Sequence, residues 1–248
     1  MKTLKALSAL LTYPSREMVL AVPEIHDVLR EEGVLALPQL EALQPLLSIL
    51  TIEDVYDLQE RYGLLFDRTR SLSLHLFEHV HGESRDRGQA MVDLKALYEA
   101  GGFDIDCGEL PDFVPLFLEY CSLRPEAEAR QILAEPAHVL AAIGERLRRK
   151  DSAYAAVFEA LVAIAAEKPT AQALDAVVPD TGDDPTDLRA LDAAWEEEEV
   201  RFGLGSAADC GVESLAAKVR QARRPAPGVA VPGGHPDRTV FTHVSSRA

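Results

Sequence analysis

The sequence predicts an all-α protein, a single helical bundle of about ten helices followed by a disordered C-terminal tail. Apolar residues recur every three or four positions through most of the chain, and few runs alternate as strands do. Pro and Gly residues separate successive apolar stripes, as expected between helices. The chain has 248 residues, of which 47% are hydrophobic and 27% charged, so its length and composition suit a globular core.

Four helices are predicted in the first third of the chain. They cover residues 2–11, residues 15–32 with Pro23 as a kink or break, a segment that Pro38 opens and a segment that Thr51 caps. Ser15 and Thr51 are the predicted N-caps, because a hydroxyl oxygen accepts a hydrogen bond from a backbone N–H of the first turn. The fourth helix is predicted to bury one face, which carries Val55, Leu58, Tyr62, Leu65 and Phe66.

Further helices are predicted up to residue 167. They cover residues 72–79, a stripe formed by Met91, Leu94, Leu97 and Tyr98, a segment beginning near Pro111, and residues 125–133, 136–149 and 152–167. The composition changes after residue 178. We therefore expect an all-helical domain at 1–178, an acidic linker and helix followed by a basic stretch at 179–222, and a disordered Pro/Gly-rich tail at 223–248.

The charge balance narrows the classes of partner. The chain has 25 Lys and Arg residues against 41 Asp and Glu residues, a formal net charge of −16, which argues against nucleic acid and anionic membranes. No apolar stretch approaches the ~18 residues of a membrane helix, and the start of the chain lacks a secretory hydrophobic region, so we expect no membrane insertion and a cytoplasmic location. Three cysteines without a CxxC pair favour a reducing compartment.

Three histidines form the best candidate for a metal site. His75 and His79 are four residues apart, so a helix would place both on one face, with His81, Glu78 and Glu83 nearby. The order HExxH is absent, so hydrogen-bonded histidines at a helix end are the preferred interpretation, and we expect no bound metal and no cofactor. Nucleophile elbows and glycine-rich phosphate loops are also missing from the sequence, and no catalytic residue is predicted.

A dense polar block occupies residues 78–88, between two apolar stripes. Its side chains are predicted to form a structural rim that comprises His79, His81, Glu83, Arg85, Asp86 and Arg87. Two interpretations remain open from the residue types: a salt-bridge corner in which arginines clamp carboxylates, or a rigid rim that also contacts a peptide. The run 195–199, one tryptophan and four glutamates, likewise fits a solvated helix face or an acidic clamp.

Four stretches of the chain resemble one family. They are residues 66–68 with 71–72, residues 76–94, residues 109–112 with Pro115 and 118–120, and residues 191–193 with 195–198 and Val200. On these motifs the chain is similar to the respiratory nitrate reductase molybdenum cofactor assembly chaperones, the delta subunit or NarJ family, a branch of the TorD-like all-helical chaperones. The resemblance spans roughly residues 4–202. One departure is Phe113, where the family often has histidine after the Pro-Asp pair.

The resemblance implies a dedicated chaperone and not an enzyme. Such proteins bind the apo catalytic (alpha) subunit of respiratory nitrate reductase, including its N-terminal segment, which resembles a vestigial twin-arginine leader. They allow the molybdenum cofactor to be inserted before membrane docking, and they are not part of the final complex. A net charge of −16 suits such a client segment, because electrostatic attraction raises the rate of association with a basic peptide.

A helical leader of this kind needs an apolar groove with an acidic rim. The predicted apolar contacts of the client are Tyr62, Phe66, Leu76, Phe117 and Tyr120. The acidic side chains expected to meet the cations of the leader are Asp67, Glu78, Asp112 and Glu119.

Three alternatives stay open at this point. The first is a proofreading chaperone for another twin-arginine-type molybdoenzyme, such as an S-oxide or N-oxide reductase. The second is a metal-dependent hydrolase that uses the His75, His79 and His81 cluster. The third is a structural subunit that stays in the mature complex.

Overall fold

A computed structural model describes residues 1–81, 85–105, 108–170, Val177 and Thr239–Phe241. The α-helices formed within these residues are α1 (Lys2–Leu10), α2 (Arg16–Glu31), α3 (Leu37–Ile52), α4 (Val55–Tyr62), α5 (Glu78–His81), α6 (Arg85–Ala100), α7 (Val114–Ser122), α8 (Glu126–Ala134), α9 (Ala137–Arg149) and α10 (Ala155–Ile164). A π-helical turn, Gly63–Asp67, continues α4, and a short 3-10 helix covers Arg70–Leu72. The predicted all-α class is confirmed.

The first two helices lie within one residue of their predicted ends. The Ser15 hydroxyl caps α2 by accepting from the Met18 N–H at 3.1 Å, and α2 continues past Pro23. Glu32, at the end of α2, caps α1 instead of any side chain of α1 itself, since its carboxylate accepts from the backbone N–H groups of Lys2 and Thr3. Helix α1 then packs against α2 and α7.

The predicted cap at Thr51 is wrong. Helix α3 continues to Ile52, so Thr51 lies inside it and its hydroxyl donates to the Leu47 carbonyl at 2.7 Å. The N-cap of α4 is Asp54, whose carboxylate accepts from the Tyr56 N–H at 2.9 Å. A helix-interior threonine bonding back to the preceding turn is the usual alternative to a capping threonine.

The predicted helix at 72–79 is also wrong. His75 forms an antiparallel bridge with Phe113, in which the Leu76 N–H donates to the Asp112 carbonyl and the Val114 N–H donates to the Leu74 carbonyl. These bonds occupy backbone groups that a helix would use internally, so helix α5 begins only at Glu78. We call residues 69–77 the strap.

The C-terminal half of the described bundle centres on α9 and α10, which pack against each other. Gly144 permits this close approach, because a Cβ atom there would lie 3.0 Å from the Cβ of Phe158. Helices α8 and α9 match the predictions at 125–133 and 136–149, and α10 is shorter than the predicted 152–167.

A pair of short parallel strands joins β1 (Phe103–Ile105) to β2 (Thr239–Phe241). The sequence analysis does not predict this pair. The expected acidic helix with Trp195, the basic stretch and the remaining residues of the C-terminal tail lie outside the described residues. None of the helices that the structure describes has the length and apolar character needed to cross a membrane.

Candidate functional site

The strap is held at its centre by Asp112, which lies just before α7 and is 0% exposed. Its carboxylate has two partners: Oδ1 lies 3.1 Å from Nδ1 of His75, and Oδ2 accepts from the Phe77 N–H at 3.0 Å. The His75 ring lies 5.5 Å from the Phe113 ring. We call this arrangement the Asp112 latch. Both oxygens of the Asp112 carboxylate, predicted as a contact for a cation of the client, have partners within the protein in this conformation.

A second buried contact ties the strap to α9. Arg146 donates from Nη1 to the Ser71 carbonyl at 2.8 Å and lies 3.2 Å from Nδ1 of His79. Because a guanidinium only donates, Nδ1 of His79 accepts, and the proton sits on Nε2, which donates to the Ser73 carbonyl at 2.8 Å. Burial is the main reason that the pKa of His79 is lowered, and the charge of Arg146 lowers it further. His79 is therefore the neutral Nε2–H tautomer.

The three histidines do not assemble as a metal site would require. His75 uses its Nδ1 on Asp112, and both ring nitrogens of His79 have partners within the protein. The ring of His81 packs 5.8 Å from that of Phe77. Among residues 1–81, 85–105 and 108–170, no three His, Cys, Asp or Glu side chains come together as metal ligands would.

The apolar side chains predicted to line a groove belong to the core. Tyr62, Phe66, Leu76, Phe117 and Tyr120 are each at most 5% exposed. Two aromatic groups organise them. The rings of Tyr62 and Phe66 lie 4.8 Å apart and are tilted by 58°. The ring of Tyr120 lies 4.7 Å from that of Tyr98 and 5.0 Å from the guanidinium of Arg124. An open groove lined by these five residues is therefore absent from the described part of the chain in this conformation.

Two carboxylates remain near the surface beside the strap. Asp67 is exposed at the end of the π-helical turn, and Glu109 is half-buried in the loop before Asp112. Partial burial, then the charge of Glu109, raises the pKa of Asp67, and His75 opposes this increase. We call Asp67 and Glu109 the acidic edge. Glu109 belongs to the motif at residues 109–112, but the sequence analysis does not predict it as a site residue. Its interaction with Asp67 depends on the geometry of the loop before Asp112, which the sequence does not indicate.

The remaining predicted residues divide between an ion pair and free surface. Arg87 on α6 donates to Glu78 on α5 at 3.0 Å, which supports the salt-bridge corner among the two interpretations of the polar block. Asp86 is exposed and Glu119 is half-buried. Glu83 and the side chain of Arg85 lie outside the described residues.

Comparison with known proteins identifies a family model and several relatives that match this chain. A sequence model described as nitrate reductase delta subunit matches residues 34–160, which include the strap, the Asp112 latch and the acidic edge. The chain is 41% identical over 214 residues to the nitrate reductase molybdenum cofactor assembly chaperone NarJ of Escherichia coli (strain K12), covering 86% of this chain and 89% of that protein.

Two further relatives have similar names. The probable nitrate reductase molybdenum cofactor assembly chaperone NarW of Escherichia coli (strain K12) is 40% identical over 221 residues, covering 87% of this chain and 90% of that protein. The probable chaperone NarJ of Bacillus subtilis (strain 168) is 30% identical over 164 residues, covering 65% of this chain and 86% of that protein. The chain belongs to the nitrate reductase delta subunit family.

Proposed function

We propose that this protein is a system-specific assembly chaperone of respiratory nitrate reductase. In this proposal it binds the apo catalytic subunit in the cytoplasm, including the N-terminal leader-like segment, and allows molybdenum cofactor insertion before membrane docking. The 41% identity to a protein named as such a chaperone, over most of both chains, is the observation that carries the proposal. The protein itself leaves the complex when the enzyme is mature.

The acidic edge is the proposed contact for the cations of the leader. Burial, and after it the charge of Glu109, raises the pKa of Asp67, so the two carboxylates repel each other. An arginine or lysine of the leader placed between them would replace this repulsion by attraction, and guanidinium–carboxylate pairs add directional hydrogen bonds. Glu78, the other predicted acidic contact in this region, is already paired with Arg87, so it is the weaker candidate.

The apolar part of the leader is proposed to enter when the strap moves. Leu72, Leu74 and Leu76 alternate along the strap and are all buried, so displacing the strap would uncover apolar core surface beneath it. Phe66 and Phe117 are the proposed contacts of the leader there. Binding would then cost the energy of opening the Asp112 latch, which keeps the affinity moderate and allows release.

The same geometry favours a chaperone over the metal-dependent hydrolase. Nδ1 of His75 and both ring nitrogens of His79 already make hydrogen bonds that hold the strap, so a metal bound to these atoms would break them. A proofreading chaperone for another twin-arginine-type molybdoenzyme is the closer alternative. The names of the relatives favour nitrate reductase, and competition between leader peptides of different enzymes separates the two.

Calorimetric titration with a synthetic N-terminal peptide of the organism's nitrate reductase catalytic subunit tests the proposal. We expect one-to-one binding with a dissociation constant in the micromolar range or tighter, lost when the basic residues of the peptide are changed to alanine. The peptide of an S-oxide reductase is the specificity control. Absence of binding to folded protein, or equal binding to the control peptides, contradicts the leader as the recognised element.

A further inference from the structure

The pair of short strands brings a late part of the chain beside the loop that leads to the acidic edge. Strand β2 (Thr239–Phe241) pairs in parallel with β1 (Phe103–Ile105), and Phe241 stands opposite Ile105. Because the pairing is parallel, the chain leaves β2 in the same direction as it leaves β1. After β1 that direction leads to Glu109, four positions beyond Ile105.

Strand β1 is held in place by contacts to α7 and to the turn that follows it. The Phe103 ring lies 5.5 Å from the Tyr120 ring, and the guanidinium of Arg124 lies 5.0 Å from the centre of each ring. Arg124 also donates from Nη2 to the Gly101 carbonyl at 3.0 Å, just before the strand. The backbone edge of β1 is therefore positioned to accept a second strand, as β2 shows.

The residues that follow β2 differ in charge from the rest of the chain. Residues 239–248 contain Arg247 and His243 and no Asp or Glu, whereas the whole chain has a formal net charge of −16. Residues 242–248, which lie outside the described residues, are called the 242–248 segment below. The acidic edge, where the charge of Glu109 acts on Asp67, is the surface of complementary charge.

The 242–248 segment is long enough to reach the acidic edge. Arg247 lies six positions after Phe241, a length of extended chain of up to roughly 20 Å. Glu109 lies four positions after Ile105, which limits its distance from the end of β1 to roughly 14 Å. Because Phe241 and Ile105 are neighbours across the ladder, the Arg247 guanidinium can meet the Glu109 carboxylate while the strands stay paired.

We propose that the 242–248 segment binds the acidic edge of its own chain, with Arg247 between Asp67 and Glu109, and competes there with the cations of the leader. Strand β2 is the anchor that raises the local concentration of this arginine. A leader with more than one cation displaces the single arginine, whereas a peptide with one cation gains too little to do so. The inference rests on the proposed function.

Carbodiimide cross-linking of the full chain tests this contact without any client peptide. The variant Arg247→Lys supplies an amine, which carbodiimide condenses with a carboxylate in contact with it, and peptide mass spectrometry identifies that carboxylate. We expect a cross-link from position 247 to Asp67 or Glu109. Arg223→Lys, which places the amine before β2, should form no cross-link to these two residues.

Calorimetric titration with the leader peptide tests the competition. Arg247→Ala should bind the leader about threefold more tightly than the wild type, because no cation of the chain then competes for the edge. The combined change Thr239→Gly, Val240→Gly and Phe241→Gly should have a similar effect, since the anchoring strand is lost. Arg223→Ala removes the same charge outside the 242–248 segment and should match the wild type.

Wild-type leader affinity in Arg247→Ala, or the absence of a cross-link from position 247 to Asp67 and Glu109, overturns the contact and leaves the chaperone proposal intact. A leader peptide that binds neither the wild type nor Arg247→Ala contradicts the proposed recognition of the leader and the competition with it. The cross-link reports on the 242–248 segment whether or not the leader binds, so the two proposals fail separately.

Discussion

Asp112 and Asp67 belong to two of the family motifs and have opposite surroundings. Asp112 is fully buried, and both of its carboxylate oxygens have partners within the protein, while Asp67 is exposed and faces a second carboxylate. The first arrangement stabilises the strap, and the second leaves charge available to a partner. Both residues are aspartates in family motifs, so neither the residue type nor the motif distinguishes them. The number of hydrogen-bond partners inside the protein distinguishes a structural carboxylate from a candidate binding carboxylate.

The largest expected effect is a loss of stability when the buried Asp112 is replaced by alanine. Asp112→Ala removes the acceptor for the Phe77 N–H and the partner of His75, and leaves both of these half-buried groups without a protein partner. We expect a loss of about 3 kcal/mol in the free energy of unfolding, since unsatisfied buried polar groups cost this order. Urea denaturation followed by circular dichroism measures it.

Asp112→Asn is the matched control for this change. The amide keeps the size of the side chain and one oxygen for the Phe77 N–H, but its NH2 group then faces Nδ1 of His75, which must accept instead of donate. We expect about 1 kcal/mol of destabilisation. If Asp112→Ala unfolds at the same urea concentration as the wild type, the latch is not a stabilising element and the comparison fails.

Helices with clear boundaries were predictable because local rules determine them. Pro125 and Pro136 precede α8 and α9, and the apolar period of each helix is regular. The strap was missed although Leu72, Leu74 and Leu76 alternate with period two, a signal of an extended segment. That signal covers only three leucines, and the segment is extended because His75 pairs with Phe113, which is far away in sequence.

The candidate site was less predictable than the fold. Asp112 stands in a recognisable motif, but its burial follows from a contact with His75, 37 residues away. The five apolar residues assigned to a groove have the same periodicity whether they line a groove or fill a core, and the structure shows the core.

The intermediate prediction uses pH to separate the two histidines of the strap. The hydrogen bond to Asp112 is the main reason that the pKa of His75 is raised, whereas burial lowers the pKa of His79. His75 therefore contributes stability that is complete below its unfolded pKa of about 6.5 and is lost as the pH rises through its folded pKa. His79 contributes stability above about pH 6.5 that is lost as the pH falls through its folded pKa.

Unfolding free energies of His75→Gln and His79→Gln, measured from pH 5 to pH 8, should deviate from the wild type in opposite directions. Relative to the wild type, stability should rise more steeply with pH in His75→Gln and less steeply in His79→Gln. Parallel curves for both variants and the wild type would show that neither histidine changes its protonation on folding.

The smallest effect on stability is expected at the acidic edge. The folded pKa of Asp67 lies above its unfolded value of about 3.9, so the carboxylate is disfavoured in the folded protein and its contribution falls as the pH rises through the folded pKa. Asp67→Asn and Glu109→Gln should therefore leave stability at pH 7 unchanged or raise it by less than about 0.5 kcal/mol.

The same two variants should weaken binding of the leader peptide about fivefold each, because each removes one carboxylate from the site of the cation. Glu60→Gln, an exposed change on α4, is the control and should leave peptide affinity unchanged. A gain in stability together with a loss of affinity would show that the two carboxylates of the acidic edge favour binding at a cost in stability. If the variant that combines Asp67→Asn and Glu109→Gln binds the leader peptide with wild-type affinity, the leader does not contact Asp67 and Glu109. The difference between these residues and Asp112 would then be one of stability alone.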